Sequence, residues 1–340
     1  MPPCSDRELV FPPSGGEMAA LMRDKRWEAT PLGPVEHWSS ALGASVRTML
    51  TSRCSMWLGW GDPLTFLYND ACRAGMLGTR HPWALGAPAS EVWSELWSEL
   101  GPRIACVLTD GRATQVQERL LVLERNGGRE ETYQTFSCSP LHEDDGRVRG
   151  VLCVATEDTG RVISERRLGL LGKLAAQTAG IKTGADLLAG IERGLASGAR
   201  DLPFTLTYLF DADGRTARLV AQTGFGAGAA GVARVIDLDA PSPWSLRQIA
   251  QAGGAVEVEL AAEIWPTGPW STAPSHASVV PIPRQGQARP AGAFVAGLSP
   301  HRVFDAAYRE FVGLLAGQIA AGLAGAEVCE ADVRRAEGVA

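Results

Sequence analysis

The sequence predicts an α+β fold with two domains in series, each a central antiparallel sheet with flanking helices. Three observations lead to this expectation. The chain has 340 residues, which suggests two domains at about 100–200 residues each. Apolar, strand-like runs separated by tight turns occur in two groups, one in each half of the chain. Between the two groups, residues 157–179 show helical spacing and predict a helical linker.

Composition excludes several classes of protein. Hydrophobic residues make up 45% and charged residues 21%, which is typical of globular chains. The net charge of −6 argues against a nucleic-acid partner. The most apolar C-terminal run, residues 313–326, is interrupted by Gln318 and is shorter than the roughly 18 apolar residues of a membrane span. The N-terminus lacks the basic start of a signal peptide. We therefore expect no membrane association and a cytoplasmic location.

The seven cysteines do not form a metal-ligand pattern. Their number is odd, and neither a C-x-x-C pair nor a Cys/His cluster occurs. Cys106, Cys138 and Cys153 lie within apolar runs. We expect them to be small buried residues in a reducing compartment, without a metal or redox role.

The first 51 residues precede the first sheet. Residues 1–16 are rich in proline, glycine and serine and predict a loose arm. Helical spacing follows over residues 17–26 and again over residues 37–51, with two prolines between them.

Residues 52–157 form the first predicted domain. Residues 55–60 and 64–68 are apolar strands, and Asn69 is placed to cap a following helix. Residues 79–110 predict short helices. Close turns then connect three strand-like runs into an antiparallel meander. These runs are residues 114–124, 131–141 and 148–156.

A helical linker over residues 158–182 separates the first domain from the second, residues 183–326. The apolar spacing of the linker predicts a short coiled coil rather than a core helix. In the second domain, residues 204–210 and 216–222 predict a hairpin. A helix over residues 186–197 precedes it, and paired strands over residues 277–283 and 291–298 follow it. A long last helix starts near residue 305, and residues 327–340 extend it beyond the domain.

Residues 52–157 resemble a PAS domain. The sequences that carry the resemblance are MWLGW at 56–60, LTFLYND at 64–70, EVW at 91–93, YQTFSCSPL at 133–141 and GVLCV at 150–154. Residues 183–326 resemble a GAF domain through FTLTYLF at 204–210, SVVPIP at 278–283 and FDAAYREF at 304–311.

In this order, preceded by GEM at 16–18 and TPLGP at 30–34, the two domains resemble the N-terminal PAS–GAF sensory region of bacterial, often hybrid, sensor histidine kinases. The kinase core is lacking, because none of the five histidines follows the last helix and no glycine-rich ATP lid is present. The resemblance implies a non-catalytic sensor. The alternative is a truncated histidine kinase whose ATP-dependent phosphotransfer domains are missing.

The resemblance also implies partners. We expect a homodimer formed through the helices from Glu157 to Ala179 and from Asp305 to Arg335. A histidine kinase or a response regulator is the expected output partner.

The resemblance implies a ligand cleft between each sheet and its short helices. In the first domain, the aromatic and polar side chains there are either ligand contacts or ordinary core and cap residues. The candidates are Trp57, Tyr68, Asn69, Trp93, Trp97 and Phe136.

No metal or resident cofactor is expected, and the ligand is unidentified. A flavin photosensor would need an Asn-Cys-Arg motif, of which only Cys72 and Arg73 are present. Haem would need His81, which precedes a proline and is expected on an exposed turn. Attachment of a bilin could use Cys4, but the histidine-containing motif is missing.

Overall fold

A computed structural model describes residues 10–125, 127–181, 183–226, 232–261, 265–284 and 286–337. The chain divides into two compact units, Met1–Val162 and Ile163–Ala340. Within the described ranges, each unit contains one antiparallel sheet with helices beside it. The predicted α+β fold with two modules in series is confirmed.

The first unit is built on a five-stranded sheet. Its strands are β1 Ser55–Trp60, β2 Thr65–Tyr68, β3 Thr114–Arg125, β4 Gly128–His142 and β5 Val148–Glu157. They lie in the order β2-β1-β5-β4-β3, and every neighbouring pair is antiparallel. The predicted meander is present, and β5 also pairs with β1. Gly150 permits this close pairing, because a Cβ there would lie 2.6 Å from the carbonyl oxygen of Gly59.

Five helices of the first unit precede or interrupt its sheet. They are α1 Gly16–Asp24, α2 Ser40–Thr51, α3 Asp70–Cys72, α4 Ala89–Val92 and α5 Trp97–Asp110. Helix α2 starts after Ser39, whose side chain accepts the backbone N–H of Leu42. Helix α5 ends at Gly111, which has a φ of 63° that suits glycine.

The expectation of a loose N-terminal arm is wrong for residues 11–16. Phe11 is fully buried in the core of the first unit. Its ring stacks on Trp27 at 6.3 Å and meets the edge of Trp38 at 5.6 Å. Burial of these large rings outweighs the turn-forming composition of the segment. Residues 1–9 of the predicted arm lie outside the described residues.

The second unit is built on a six-stranded sheet. Its strands are β6 Thr205–Phe210, β7 Thr216–Thr223, β8 Val235–Asp237, β9 Val256–Glu259, β10 His276–Ile282 and β11 Gly292–Gly297. Their order is β8-β7-β6-β11-β10-β9. The predicted hairpin is β6–β7, and the predicted pair of later strands is β10–β11.

Four helices complete the described part of the chain. They are α6 Thr159–Thr178, α7 Gly184–Leu195, α8 Leu246–Ala252 and α9 Ala306–Glu337. Helix α7 begins two residues earlier than predicted because the Thr183 side chain accepts the backbone N–H of Asp186 and caps it. Tyr308 and Leu315 of α9 are buried in a core cluster that includes Phe294 of β11.

Helix α6 is a core helix along part of its length, whereas its sequence predicts a short coiled coil. Leu170 and Leu174 are buried in the core of the second unit. Two glycines of α7 allow the close approach, since a Cβ at Gly194 would lie 2.8 Å from Leu174 Cα. Arg166 adds a bidentate ion pair to the buried Asp201, with N–O distances of 2.7 and 2.9 Å.

The expectation that no segment has the length and composition of a membrane span is wrong for part of α9. Residues Ala306–Cys329 are long and apolar enough by these two criteria. This hydropathy comes from two apolar stripes on the helix. One stripe, which includes Phe311 and Ile319, is buried in the core of the second unit. The other stripe, which includes Leu314, Ala321 and Val328, is exposed on the surface of this unit.

Candidate functional site

An apolar cavity lies in the first unit between α5 and the sheet. Its walls include the side chains of Trp57, Trp93, Leu100, Phe136 and Cys153. The cavity volume is about 40 Å³, whereas sites for drug-sized ligands enclose roughly 300–1,000 Å³. The space therefore admits a guest of a few atoms, and a larger ligand requires the walls to move.

Aromatic rings fill most of the cleft. The Trp57 ring lies 5.1 Å from Phe66 and 6.5 Å from Trp93, and Phe66 meets Trp93 edge-on at 5.9 Å. These centroid distances are typical of favourable aromatic pairs. The small cavity volume follows from this packing.

Trp93, one of the residues that line the cavity, carries an unsatisfied donor. Its side chain is 2% exposed, and its indole Nε1–H has no acceptor among the described residues. The guanidinium of Arg80 lies 5.4 Å from the centre of the Trp93 ring and makes a cation–π contact. This contact does not satisfy the indole N–H, because a guanidinium has no hydrogen-bond acceptor. A buried donor without a partner costs about 1–3 kcal/mol. An acceptor on a guest molecule would recover that free energy.

A charged rim lies beside the apolar walls. Glu99 of α5 and Arg119 of β3 form an ion pair at 2.5 Å, and both line the cavity. Arg119 and Val116 both line the cavity although they are three positions apart in the strand, a spacing that would place them on opposite faces of a regular strand. A β-bulge at this point, with Glu118 at a φ of 50°, inserts the extra residue that this orientation requires.

The structure brings three of the six predicted residues to the cavity and places three elsewhere. Trp57, Trp93 and Phe136 line the cavity. Trp97 lies in a separate open groove on the other side of α5. Tyr68 and Asn69 bond to neighbouring protein groups instead.

Tyr68 is fully buried, and its hydroxyl lies 2.9 Å from Nδ1 of His81. Burial raises the pKa of Tyr68, and the nearby Cys72 contributes in the same direction. The hydroxyl therefore stays protonated. His81 was expected on an exposed turn, but it is half-buried against Tyr68.

Asn69 is a structural cap. Its Oδ1 accepts the backbone N–H groups of Met56 and Cys72 at 3.1 and 2.9 Å. Its Nδ2 shares its two hydrogens among three carbonyl oxygens, those of Met49, Ser52 and Cys54, at 2.7–3.2 Å. These bonds satisfy the side chain, so Asn69 has no donor or acceptor to offer a ligand.

Residues that the sequence analysis did not select complete the wall. Leu100 and Leu121 come from α5 and β3, and Cys153 comes from β5. The alternation of apolar residues along the strands could have indicated Leu121 and Cys153. The bulge before Arg119 leaves no comparable signal.

The cysteines are only partly as expected. Cys138 and Cys153 are buried, whereas Cys106 is exposed on the outer side of α5. The expectation is wrong for Cys106 because this helix has only one buried face. Cys72 is buried in the core, and burial raises its pKa to about 12. Cys4, the candidate for attaching a bilin, lies outside the described residues.

Comparison with known proteins assigns the first unit. Residues 65–163 match the family model described as "PAS fold". This match confirms the resemblance to a PAS domain over these residues. No curated protein matches the chain.

Solved GAF domains are among the similar structures. One is the GAF domain of an Acinetobacter phosphoenolpyruvate-protein phosphotransferase, with 17% identity, a TM-score of 0.36, and coverage of 48% of this chain and 95% of that one. Another is from the Coxiella burnetii phosphotransferase, with 15% identity, a TM-score of 0.38, and coverage of 49% and 98%. A sensory box sensor histidine kinase from Vibrio cholerae has 14% identity, a TM-score of 0.25, and coverage of 34% and 87%.

Proposed function

We propose that this chain is a non-catalytic sensor whose PAS cleft binds a small, mostly apolar ligand. The observation that carries the proposal is the buried Nε1–H of Trp93, which lacks an acceptor at the wall of an apolar cavity. The ligand would bring one hydrogen-bond acceptor to this donor and apolar atoms to the rings around it. Binding would separate rings that now touch, so the cleft would signal occupancy by repacking.

The test is native mass spectrometry of the full chain purified from its own host. We expect a co-purifying small molecule that carries an oxygen or nitrogen acceptor. Trp93→Phe keeps an aromatic, smaller ring and removes the N–H, and should weaken ligand binding at least ~10-fold and so lower the occupancy, since ~10-fold corresponds to one buried hydrogen bond.

Trp83→Phe is the matched control, since Trp83 is 52% exposed and lies in the same unit. Its occupancy should equal that of the unmodified chain. Equal occupancy in the Trp93→Phe chain would contradict the proposed role of the N–H. The absence of any ligand in the unmodified chain would contradict ligand sensing itself.

We further propose that α9 pairs with its counterpart in a second copy and relays the signal to a histidine kinase or another output in the cytoplasm. An outer stripe supports this pairing, namely Leu314, Gly317, Ala321, Ala324 and Val328. All five residues are exposed or half-buried. Their alternating spacing of three and four residues is that of a coiled-coil seam. The same stripe on two copies is self-complementary, as a two-fold dimer requires.

Sedimentation equilibrium of Leu314→Glu tests the pairing. Leu314 is 52% exposed, so the folded unit tolerates the carboxylate, whereas a dimer seam would bury it. We expect a dimer dissociation constant at least ~10-fold higher than that of the unmodified chain. Val235→Glu, at an equally exposed position on β8, is the control and should leave the constant unchanged.

A chain that is monomeric without any substitution would refute the relay through paired α9 helices.

The proposal that the chain is not an enzyme is tested by measuring ATP hydrolysis. ATP turnover by the purified chain would contradict it.

A further inference from the structure

Two cysteines face each other on adjacent strands of the first sheet. Cys138 of β4 and Cys153 of β5 are direct partners in the strand register. Their Sγ atoms are 3.0 Å apart, and both side chains are buried. Both are free thiols. The fold thus holds two sulfur atoms in contact.

The hydrogen-bond pattern of the sheet shows which kind of pair this is. The backbone N–H of Asp158 donates to the carbonyl oxygen of Tyr133, so these two residues are a hydrogen-bonded position between β5 and β4. Such positions recur at every second residue, and Cys153 falls between them. Cys138 and Cys153 are therefore a non-hydrogen-bonded pair.

The other edge of β5 gives the same result. The N–H of Gly61 donates to the carbonyl oxygen of Arg149, and counting by twos along β1 makes Trp57 and Cys153 a hydrogen-bonded pair. The backbone of Cys153 therefore points to β1 and away from β4. In non-hydrogen-bonded pairs the Cα atoms are roughly 4.5 Å apart, which is within the range that a disulfide spans. The two strands need little movement for the sulfur atoms to bond.

The cavity described above provides access. Cys153 is part of its wall. The cavity volume of about 40 Å³ exceeds the roughly 10–15 Å³ needed for one water molecule. A molecule of two oxygen atoms, such as hydrogen peroxide, has room beside the Cys153 thiol, and the Cys138 sulfur lies directly behind it at 3.0 Å. Larger oxidants do not fit without widening the cleft.

We propose that Cys138 and Cys153 form a peroxide-sensitive dithiol, which hydrogen peroxide converts into a cross-strand disulfide. The proposal is independent of the ligand and of the dimer proposed above. Reversible disulfides in reducing compartments are typically redox-sensing rather than structural. The sequence alone indicated only buried cysteines, because the predicted meander does not fix the register of its strands.

The chemistry balances as two successive displacements. The thiolate of Cys138 attacks one peroxide oxygen, the O–O bond breaks, and the departing hydroxide takes up a proton and leaves as water. Cys138 is now a sulfenic acid. Cys153 then attacks its sulfur, the S–O bond breaks, and a second water leaves. Each sulfur loses one electron, and the peroxide gains two.

The environment of the pair assigns the first step to Cys138. The sulfur of Cys153, 3.0 Å away, stabilises the ionised form of Cys138 and so lowers the pKa of Cys138. Burial raises the pKa of Cys153 well above its usual value. Cys138 is thus the thiol that ionises, and Cys153 is the resolving thiol.

The experiment treats the reduced full chain with hydrogen peroxide, blocks the remaining thiols by alkylation in denaturant, and maps the tryptic peptides by mass spectrometry. Arg147 and Arg149 separate the two cysteines into different peptides. We expect these peptides to be joined to each other and to be released by dithiothreitol. The crosslink should form at least ~10-fold faster in the folded chain than in urea, because folding holds the sulfur atoms in contact.

Two variants test the order of the steps. In Cys153→Ala, Cys138 should accumulate as a sulfenic acid that dimedone labels once the oxidised chain is unfolded in denaturant, since the folded core excludes the reagent. In Cys138→Ala, Cys153 should remain unlabelled. The exposed Cys54 and Cys106 are internal controls for general oxidation. The proposal is overturned if both core peptides stay fully alkylatable while Cys54 and Cys106 are oxidised, or if the crosslink forms equally fast in urea.

Discussion

Asn69 shows how much of the first unit depends on one side chain. It is 1% exposed and connects the end of α2, the start of β1 and the start of α3. A buried side-chain amide whose hydrogen bonds are all formed contributes only modestly to the stability of the folded state. Its removal leaves several buried backbone groups unpaired, and the cost of each is larger.

We predict that Asn69→Ala lowers the free energy of unfolding of the first unit by about 3 kcal/mol, since it orphans buried donors and acceptors and removes a helix cap. Urea unfolding followed by tryptophan emission measures the change. Asp62→Ala is the control, because the Asp62 side chain is 97% exposed. It should change stability by less than ~0.5 kcal/mol. Equal effects of the two substitutions would show that the bonds of Asn69 contribute little.

At the scale of elements, ion pairs of Arg125 connect the ends of three strands, β3, β4 and β5. It is the last residue of β3 and binds Glu130 of β4 at 2.8 Å and Glu157 of β5 through two bonds of 2.8 and 2.9 Å. The bonds from Arg125 lower the pKa of Glu157 below its usual value. The ionised form of Glu157 therefore stabilises the folded state.

We predict a pH-dependent effect of Glu157→Gln. The folded pKa is depressed, so the contribution of Glu157 is fully present above its unfolded pKa of roughly 4.3 and disappears as the pH falls through the folded value. The unmodified chain should have the higher urea midpoint at neutral pH, and the two midpoints should converge in acid. Glu17→Gln, at a 62% exposed carboxylate, should show little difference at either pH. A gap that widens in acid would contradict the sign.

The two helices α6 and α7 owe their contact to glycine. A Cβ at Gly190 of α7 would lie 2.4 Å from the carbonyl oxygen of Gln177, which is too close for any substitution without movement of the backbone. Gly172 of α6 is exposed, and nothing lies within 4 Å of its Cβ position. The same residue type therefore has opposite roles on the two helices.

We predict that Gly190→Ala lowers the free energy of unfolding of the second unit by about 1–3 kcal/mol through overpacking. Gly172→Ala should raise it by roughly 0.5–1 kcal/mol, because alanine favours a helix more than glycine does. Urea unfolding of the two matched variants measures both changes. Stabilisation by both substitutions would mean that α6 does not pack against α7, as the linker interpretation requires.

At the scale of the whole molecule, the described residues form separate cores. The cluster around Trp57 and Phe66 belongs to the first unit, and the clusters around Phe294 and Phe204 belong to the second. Substitutions in different cores share no partner, and their effects should therefore add.

We predict that the double variant Asn69→Ala, Gly190→Ala loses the sum of the two single losses, within ~0.5 kcal/mol. The measurement is the same urea unfolding, resolved into its transitions. A coupling larger than this would mean that one cooperative core spans both units. The single variants serve as the controls.

The local pattern of residues alone determined the secondary structure, the α+β class and the order of the two modules. Strand alternation, turn residues such as Asp110-Gly111, and the cap at Asn69 act over a few residues and can be read from the chain. Trp57, Trp93 and Phe136 were selected because the resemblance to a PAS domain implies a cleft between the sheet and its short helices.

Only the tertiary structure decided what these elements touch. It placed Phe11 in the core, attached α6 to α7, bonded Tyr68 to His81 and set Trp97 outside the cavity. It also paired Cys138 with Cys153 through the register of two strands. Contacts between distant segments depend on which faces of sheets and helices meet, and that choice is made by burial and close packing across the whole unit.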